Sequence, residues 1–316
     1  MTKEISIIIA THNRCQNLRA VLNDLMQIRI DGLSYEIIIV DNNSNDQTKE
    51  VVQEFQGRLP GKIIYLFEPQ QGKSFALNHA IAHANGEILA FTDDDIRIDP
   101  DWIVNLRECF IKYSCDGVGG RVLPLDDADT PQWIKDNGHQ LFGPVVQYDF
   151  GTGDIPYNRS QLREFIGANF AFKKSVLTEC GGFRVDIGPG QGFIGEDTEI
   201  IDRLNKLNKR LYYCGNALVW HPVIKDRTKL KYIAEWFMQI GRFRVRTGTF
   251  DQKPLVCWGG VPRYLFRAMF KEMFNMLFNI FDRGTLLKHF ILFFIKIGAV
   301  KEYRLLYLTS KKKKAG

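Results

Sequence analysis

The feature that bears hardest on the fold is an alternation of two hydrophobic periods along the first third of the chain. Short runs rich in β-branched residues fall at 5–10, 35–41, 62–67 and 87–92, and each ends in polar or turn residues. Between and after them, 14–28, 46–56, 73–84 and 100–113 space their apolar residues as helices do. Strands that alternate with helices at this interval build βαβ units, so an α/β fold with a mostly parallel sheet sandwiched by helices is expected. Both faces of such a sheet are covered, which accounts for strand runs that are apolar throughout. Ligands of doubly wound sheets sit beyond the carboxyl ends of the strands. The residues placed there are Thr11-His12-Asn13-Arg14, Asp41-Asn42-Asn43-Ser44-Asn45-Asp46, Glu68 and Asp93-Asp94-Asp95. One sheet edge therefore carries an acidic, asparagine-rich set of loops.

From about 117 to 165 glycine, proline and aspartate are frequent (Gly117, Gly119, Gly120, Pro124, Asp126, Asp127 and Asp129 among them), and the stretch reads as long loops over a cleft. A strand over 166–174 follows, then a turn at Gly181-Gly182 and a glycine-rich segment at 188–195. A helix opens on Glu196-Asp197, and two short strands are expected at 211–214 and 217–221. Beyond Pro222 the composition becomes basic and aromatic. Residues 1–222 carry 22 basic and 30 acidic side chains, net −8, whereas 223–316 carry 20 and 6, net +14. The expected organisation is a sheet domain at 1–225 and a helical region at 226–316. A chain of 316 residues with 45% hydrophobic and 25% charged side chains excludes disordered and collagen-like classes. Its six cysteines form no C-x-x-C pair, so neither a zinc module nor a disulfide framework is indicated, and a reducing compartment fits. The 5–10 run is too short for a signal-peptide core, and no run of 18 apolar residues predicts a spanning helix. A cytoplasmic location is the expectation.

Three adjacent carboxylates at 93–95 repel one another unless a cation or donors offset them. A hard divalent ion, Mg²⁺ or Mn²⁺, shared with the phosphates of a substrate is one resolution, and a solvated turn capping the next helix is the other. Asp41 at the end of the second strand offers a carboxylate to a base or ribose, although Asp, Asn and Ser are also ordinary turn residues. Gln71-Gly72-Lys73-Ser74 mimics the end of a phosphate loop, but position 67 is Phe67 where that motif needs glycine. A P-loop is thereby rejected, and no G-x-G-x-x-G follows the first strand as a dinucleotide dehydrogenase would require. Glu196 and Asp197 sit in a first helical turn, where the helix dipole favours acids without any function and would keep Asp197 ionised, as a general base must be. His221 ends a strand and is a candidate ligand. His79 and His83 share a helix face with no third ligand and read as ordinary surface.

Taken together these residues resemble a family-2 glycosyltransferase of the GT-A fold. The resemblance runs in order through 6–14, 39–44, 72–78 and 90–95, then Gly167-Ala168-Asn169-Phe170-Ala171-Phe172, Gly195-Glu196-Asp197-Thr198-Glu199 and His221, covering about residues 1–225. It implies an inverting, metal-dependent hexosyltransferase acting on a nucleotide sugar, a UDP-sugar by family habit. It implies that Thr11, Asn13, Asp41, Lys73, Asp93 and Asp94 line the nucleotide-sugar pocket, and that Asp95 and His221 hold Mn²⁺ or Mg²⁺. Asp197 matches the catalytic base, with Glu196 beside it on the acceptor side. No Q-x-x-R-W motif is present, so single-sugar transfer is expected rather than polymerisation. The acceptor implied is a glycan or lipid-linked sugar of surface polysaccharide biosynthesis. Two other readings remain beside it. One is a catalytically inactive scaffold of the same fold. The other is a sugar nucleotidyltransferase, disfavoured because Asn13-Arg14-Cys15-Gln16 lacks the glycine of a triphosphate loop.

In the basic region, 262–281 places Arg263, Arg267, Lys271, Asn275 and Asn279 at steps of four, among Leu265, Phe266, Met269, Phe270, Met273, Leu277, Phe278 and Ile280. A second apolar helix is expected at 285–297. The pair suits the interface of an anionic membrane, assisted by Lys311–Lys314, on the inner face of the cell membrane. Packing on the catalytic body or on a dimer partner is the alternative. Nucleic acid is not an expected partner, because the aromatic residues belong to apolar faces and no helix-turn-helix or zinc module accompanies the charge.

Overall fold

A computed structural model gives the fold and describes residues 3–59, 62–125, 130–141, 143–158, 162, 165–190, 194–250 and 256–315, with 312–315 described by backbone alone. Asp126, Asp127 and Asp129 of the expected loop, Gln191-Gly192-Phe193 of the glycine-rich segment and the side chains of Lys312, Lys313 and Lys314 lie outside the described residues.

The first part of the chain runs β1 (Lys3–Thr11), α1 (Cys15–Leu25), β2 (Tyr35–Asp41), α2 (Thr48–Arg58), β3 (Ile63–Phe67), α3 (Lys73–His83), β4 (Gly86–Thr92), β5 (Arg97–Ile98) and α4 (Trp102–Tyr113). It continues with β6 (Gly117–Leu125), α5 (Gln132–Asn137), β7 (Asp154–Pro156), β8 (Asn169–Lys173), α6 (Lys174–Cys180), α7 (Glu196–Lys206) and β9 (Leu211–Pro222). After a 3-10 turn at Lys225–Thr228 come α8 (Leu230–Arg246), a small hairpin of β10 (Cys257–Trp258) and β11 (Val261–Pro262), then α9 (Arg263–Phe278) and α10 (Arg283–Ala315).

Strands β1 to β9 form one sheet in the order β3-β2-β1-β4-β8-β6-β9-β5, with β7 paired to β9. Six of the nine, β1 to β4, β6 and β9, run the same way, and β5, β7 and β8 oppose them. The α/β expectation is met by this mixed, mostly parallel sheet with its flanking helices. Strand β2 is buried at every residue, as a covered strand should be. The core continues through Phe91, Phe170 and Phe183, whose rings pack edge to face at 5.4 and 5.5 Å from Phe91.

Three local expectations are corrected. The segment from 117 is not loop: β6 lies inside the sheet between β8 and β9. Its glycines are sites of close packing, since a methyl group on Gly117 would collide with Phe172, on Gly119 with Phe165 and on Gly120 with Asn169. The strands expected at 211–214 and 217–221 are one strand, β9. Register against β6 jumps between Gly120↔Cys214 and Arg121↔Leu218, so Gly215-Asn216-Ala217 forms a bulge rather than a turn. The helix expected at 285–297 extends through α10 to Ala315.

The chain divides into two compact units. One comprises Met1–Asp127, Val146–Gly192 and Glu196–Val223 and holds the sheet; the other comprises Ala128–Val145, Phe193–Gly195 and Ile224–Gly316. Within the second, α8 and α10 cross at backbone contact, because Cβ atoms on Gly241 and Gly298 would strike the carbonyls of Ile295 and Met238. Buried Glu302 accepts hydrogen bonds from Arg242 (2.8 Å) and Arg246, and buried Glu272 accepts from His289 (2.6 Å) and Lys296 (3.0 Å). No helix among the described residues is long and apolar enough to cross a membrane.

Candidate active site

Parallel pairing sets Thr11 of β1 opposite Asp41 of β2 and Ile9 opposite Thr92 of β4. The acids that follow Thr92 therefore emerge beside the β1–α1 loop. That loop is tied to the next one along the edge. The Asn13 amide, at a left-handed φ of 53°, donates to Ser44 Oγ (2.9 Å), and its side-chain oxygen accepts from the Asn45 amide (2.7 Å). Asp46 accepts from the Cys15 amide (2.9 Å) and from Thr48, so one carboxylate serves the starts of both α1 and α2.

Asp41 is buried, and both its oxygens accept from within the fold: Oδ1 from the Ser44 amide (2.8 Å) and Oδ2 from the Tyr65 hydroxyl (2.8 Å). Burial and Asp41 hold the Tyr65 phenol well above its usual range. Asn42 shapes the loop before α3, accepting from the Gly72 amide (2.8 Å) and donating to the carbonyls of Glu68 and Gln70. Gly72 takes φ 140°, which favours glycine, and Lys73 follows as the first residue of α3.

The three consecutive acids differ in environment. Asp93 is partly exposed and accepts from Lys73 Nζ at 2.5 Å. Asp94 is buried; Thr11 Oγ1 donates to its Oδ2 (2.7 Å) and Arg14 to its Oδ1 (3.0 Å). Burial pushes the Asp94 carboxyl above the ordinary range, and Arg14 and Thr11 oppose that shift. Asp95 is buried too, with Oδ2 2.9 Å from Arg14 and Oδ1 3.4 Å from His221 Nε2. Ligand atoms of Asp93, Asp95 and His221 lie within 4.8 Å of one another. Thr11, expected to face a nucleotide, thus spends its hydroxyl on Asp94, and Asp93 joins the candidate metal set that the family resemblance implied for Asp95 and His221.

This donor set fits a hard divalent ion. His221 is 2% exposed, and its Nδ1 lies 2.9 Å from the Pro222 carbonyl, which only accepts. Nδ1 therefore carries a hydrogen, and Nε2 is left facing a carboxylate oxygen across a gap that a cation relieves. Two carboxylates and one imidazole suit Mn²⁺ or Mg²⁺, with further positions for phosphate oxygens. A second grouping, Cys109, Cys214 and Asp154, also lies within 4.8 Å. Its Asp154 is occupied by Lys112 (3.2 Å) and the Tyr113 hydroxyl (3.1 Å), and both thiols are buried in the apolar core.

Glu196 and Asp197 open α7, as the sequence predicts. Asp197 Oδ1 accepts from the Thr198 amide (2.7 Å) and Oδ2 from the Gly167 amide (3.2 Å). The helix dipole does not leave it strongly ionised: desolvation and the neighbouring Glu196 push its carboxyl up to about 7, against those amides and Lys73. Lys73 lies between the two acidic groups. Burial alone would lower its ammonium, but Asp93, Glu196 and Asp197 outweigh burial and hold it above the usual lysine range. A β-carbon on Gly167 would come 3.5 Å from Lys73 Nζ and 3.8 Å from Asp197 Cβ, which marks how small the backbone is where these groups meet.

The candidate residues thus converge on one sheet edge of one unit. Arg14, Asn42 and Tyr65 received no role from the sequence, and each makes contacts with the predicted residues. Arg14 closes the Thr11-His12-Asn13-Arg14 loop at the ligand-binding edge, which is the signal the sequence holds for it.

A family model, "Glycosyl transferase family 2", matches residues 6–181. The chain is 22% identical to the succinoglycan biosynthesis protein ExoM of Rhizobium meliloti (strain 1021) over 236 residues, 74% of this chain and 72% of that protein. It is 32% identical to the glycosyltransferase AglE of Haloferax volcanii over 225 residues, 69% of this chain and 66% of that protein. In fold it resembles a mannosyltransferase from Pyrobaculum calidifontis solved with GDP-Man and Mn²⁺ (TM-score 0.56, 18% identity, 92% of this chain and 74% of that one). It also resembles S. aureus TarS 1-349 solved with UDP-GlcNAc (TM-score 0.57, 13% identity, 98% and 92%). Since the family model spans more than half of the sequence, and spans the strands that deliver Thr11, Asp41 and Asp93 to Asp95, the chain belongs to glycosyl transferase family 2.

Proposed function

We propose that this glycosyltransferase moves a hexose, with inversion, from a nucleoside-diphosphate sugar to a hydroxyl of a glycan or lipid-linked acceptor of surface polysaccharide synthesis. The observation that carries the reading is Lys73, paired with Asp93 on one side and charge-coupled to Glu196 and Asp197 on the other. It puts a candidate metal carboxylate and a candidate base around one cation at the mouth of the sheet.

In this reading Asp197 accepts the proton of the acceptor hydroxyl as that oxygen bonds to C1 of the sugar. The bond from C1 to the diphosphate breaks on the opposite face, and its electron pair leaves with the nucleoside diphosphate. Asp93, Asp95 and His221 would hold Mn²⁺ or Mg²⁺, which supplies charge stabilisation to the leaving group. The gap between His221 Nε2 and Asp95 and the Mn²⁺ bound in the similar mannosyltransferase support that assignment. Asp94, fixed by Thr11, orients the acid turn. Asn13 and Asp41 border the nucleotide; UDP is the first choice, and GDP is the nucleotide of one similar structure. Glu196 stands on the acceptor side, buried beside Asp197.

The reading includes work at the inner, cytoplasmic face of an anionic membrane. Its support is the exposed outer face of α9, where basic and aromatic residues are both presented to solvent.

Thermal unfolding of the purified protein with UDP, GDP, dTDP and CDP, each with and without Mn²⁺, is the test. One diphosphate raises Tm only when Mn²⁺ is present, since a ligand of the native state stabilises it by mass action. No shift with any pair, in a sample that melts cooperatively, overturns the catalytic reading in favour of the inactive scaffold.

A further inference from the structure

The two carboxylates of the candidate metal set are each already paired with a side-chain cation, and with different ones. Lys73 Nζ lies 2.5 Å from Asp93 Oδ1, and Arg14 lies 2.9 Å from Asp95 Oδ2. Arg14 also reaches Asp94, but Asp94 keeps a second donor, Thr11 Oγ1, that does not depend on Arg14. Asp95 has His221 on its other oxygen and is 5% exposed at the side chain, so its charge is desolvated. Arg14 itself is 43% exposed and occupies the N-cap position of α1, so its guanidinium can leave without unpacking the core.

We infer that Arg14 and Lys73 are resident counter-ions of the acid turn, displaced from Asp95 and Asp93 by the divalent cation and released toward the diphosphate of the donor. The inference rests on the functional reading above and assigns Arg14 a positioning role that the reading does not contain.

The argument is one of charge. Arg14 is held by Asp94 and Asp95, and Lys73 by Asp93 with Glu196 and Asp197 nearby. A divalent cation entering alone must compete with two ion pairs, one of them on the buried Asp95 carboxylate, where separating charges is costly. A nucleoside diphosphate arriving with the metal brings the negative charge that the displaced guanidinium and ammonium need. Metal and nucleotide therefore bind with positive coupling, and each raises the affinity of the other by the same factor. Arg14 is also what keeps adjacent, buried Asp94 and Asp95 compatible before the metal arrives.

The test is isothermal titration of the full-length protein with Mn²⁺, alone and at saturating UDP, for wild type, Arg14→Gln and Arg14→Lys. Wild type is expected to bind Mn²⁺ at least about tenfold more tightly with UDP than without it. Arg14→Gln removes the competing cation, so it binds Mn²⁺ alone about five- to tenfold more tightly than wild type and loses a similar factor of coupling. Arg14→Lys retains a cation and most of the coupling, and a cooperative melt of each variant shows that the fold is intact. If Arg14→Gln binds Mn²⁺ alone no more tightly than wild type, or keeps full coupling, the inference is wrong. Metal and nucleotide that bind wild type without coupling overturn it alone. Failure of wild type to bind Mn²⁺ with UDP, GDP, dTDP or CDP overturns the functional reading and this inference together.

Discussion

Asp197 carries two measurable consequences of where it sits. Desolvation first, and Glu196 second, raise its carboxyl to about 7. A general base must be ionised, so kcat/KM is expected to rise about tenfold per pH unit below 7 and to flatten above it. A pH profile whose acid limb lies near pH 4 would free Asp197 from that role. Asp197→Asn removes proton acceptance and lowers turnover by on the order of 10²- to 10⁴-fold. The same shift has a stability sign. The folded value lies above the unfolded one of about 4, so folding takes up a proton between them and stability falls as pH rises through that window. Asp197→Asn escapes that loss and is therefore more stable than wild type at pH 8, the gap shrinking toward pH 5, as paired melts at the two pH values would read. The sequence placed Asp197 in a first helical turn and took ionisation from the dipole. What it could not carry is the desolvation around the carboxylate. Arg14 was placed at that edge but given no partner for a related reason: its partners lie 80 and 81 residues away, and only the register of β1 with β4 brings them near.

At the scale of elements, legibility followed periodicity. Strands β1 to β4 and helices α1 to α4 stand within a few residues of the expected runs, because each has apolar positions at its own period and turn residues after it. Strand β6 failed that test. Gly117, Gly119 and Gly120 look like loop residues, yet each is where a neighbouring side chain occupies the space a β-carbon would need. Gly120 abuts Asn169, which accepts from Trp102 Nε1 (2.8 Å) and donates to the carbonyls of Arg121 and Ala217. Gly120→Ala must displace that amide and is expected to cost about 1–3 kcal/mol in urea unfolding. Gly57→Ala, at an exposed position of α2 with nothing near the new methyl, is expected to gain up to about 1 kcal/mol. Equal effects at the two positions would mean that Gly120 is not the packing contact described.

At the scale of the whole molecule the charge division at residue 222 acquires a surface. The buried side of α9 holds Leu265 and the charged Glu272, whereas its solvent side presents Phe270, Phe274, Leu277 and Phe278, with Phe281 just beyond. Phe278 and Phe281 are 82% and 96% exposed. A helix with a carboxylate inside and phenylalanines outside is the reverse of an ordinary surface helix, and something apolar is expected to cover it. The exposed Arg263, Arg267 and Lys271 lie on the same solvent side nearer the start of the helix, so headgroup phosphates and acyl chains would each meet their complement along one face. The expected result is that full-length protein sediments with vesicles containing anionic phosphatidylglycerol and much less with neutral phosphatidylcholine, the difference narrowing as salt rises. Replacing Phe274, Phe278 and Phe281 together by serine removes three large apolar groups and should weaken vesicle binding by about a hundredfold or more. Melting should barely change, because these side chains are already in solvent. Unaltered sedimentation of the triple variant would refute the membrane assignment. A wild-type dimer that the same three substitutions convert to monomer would assign the face to a second copy of the chain instead.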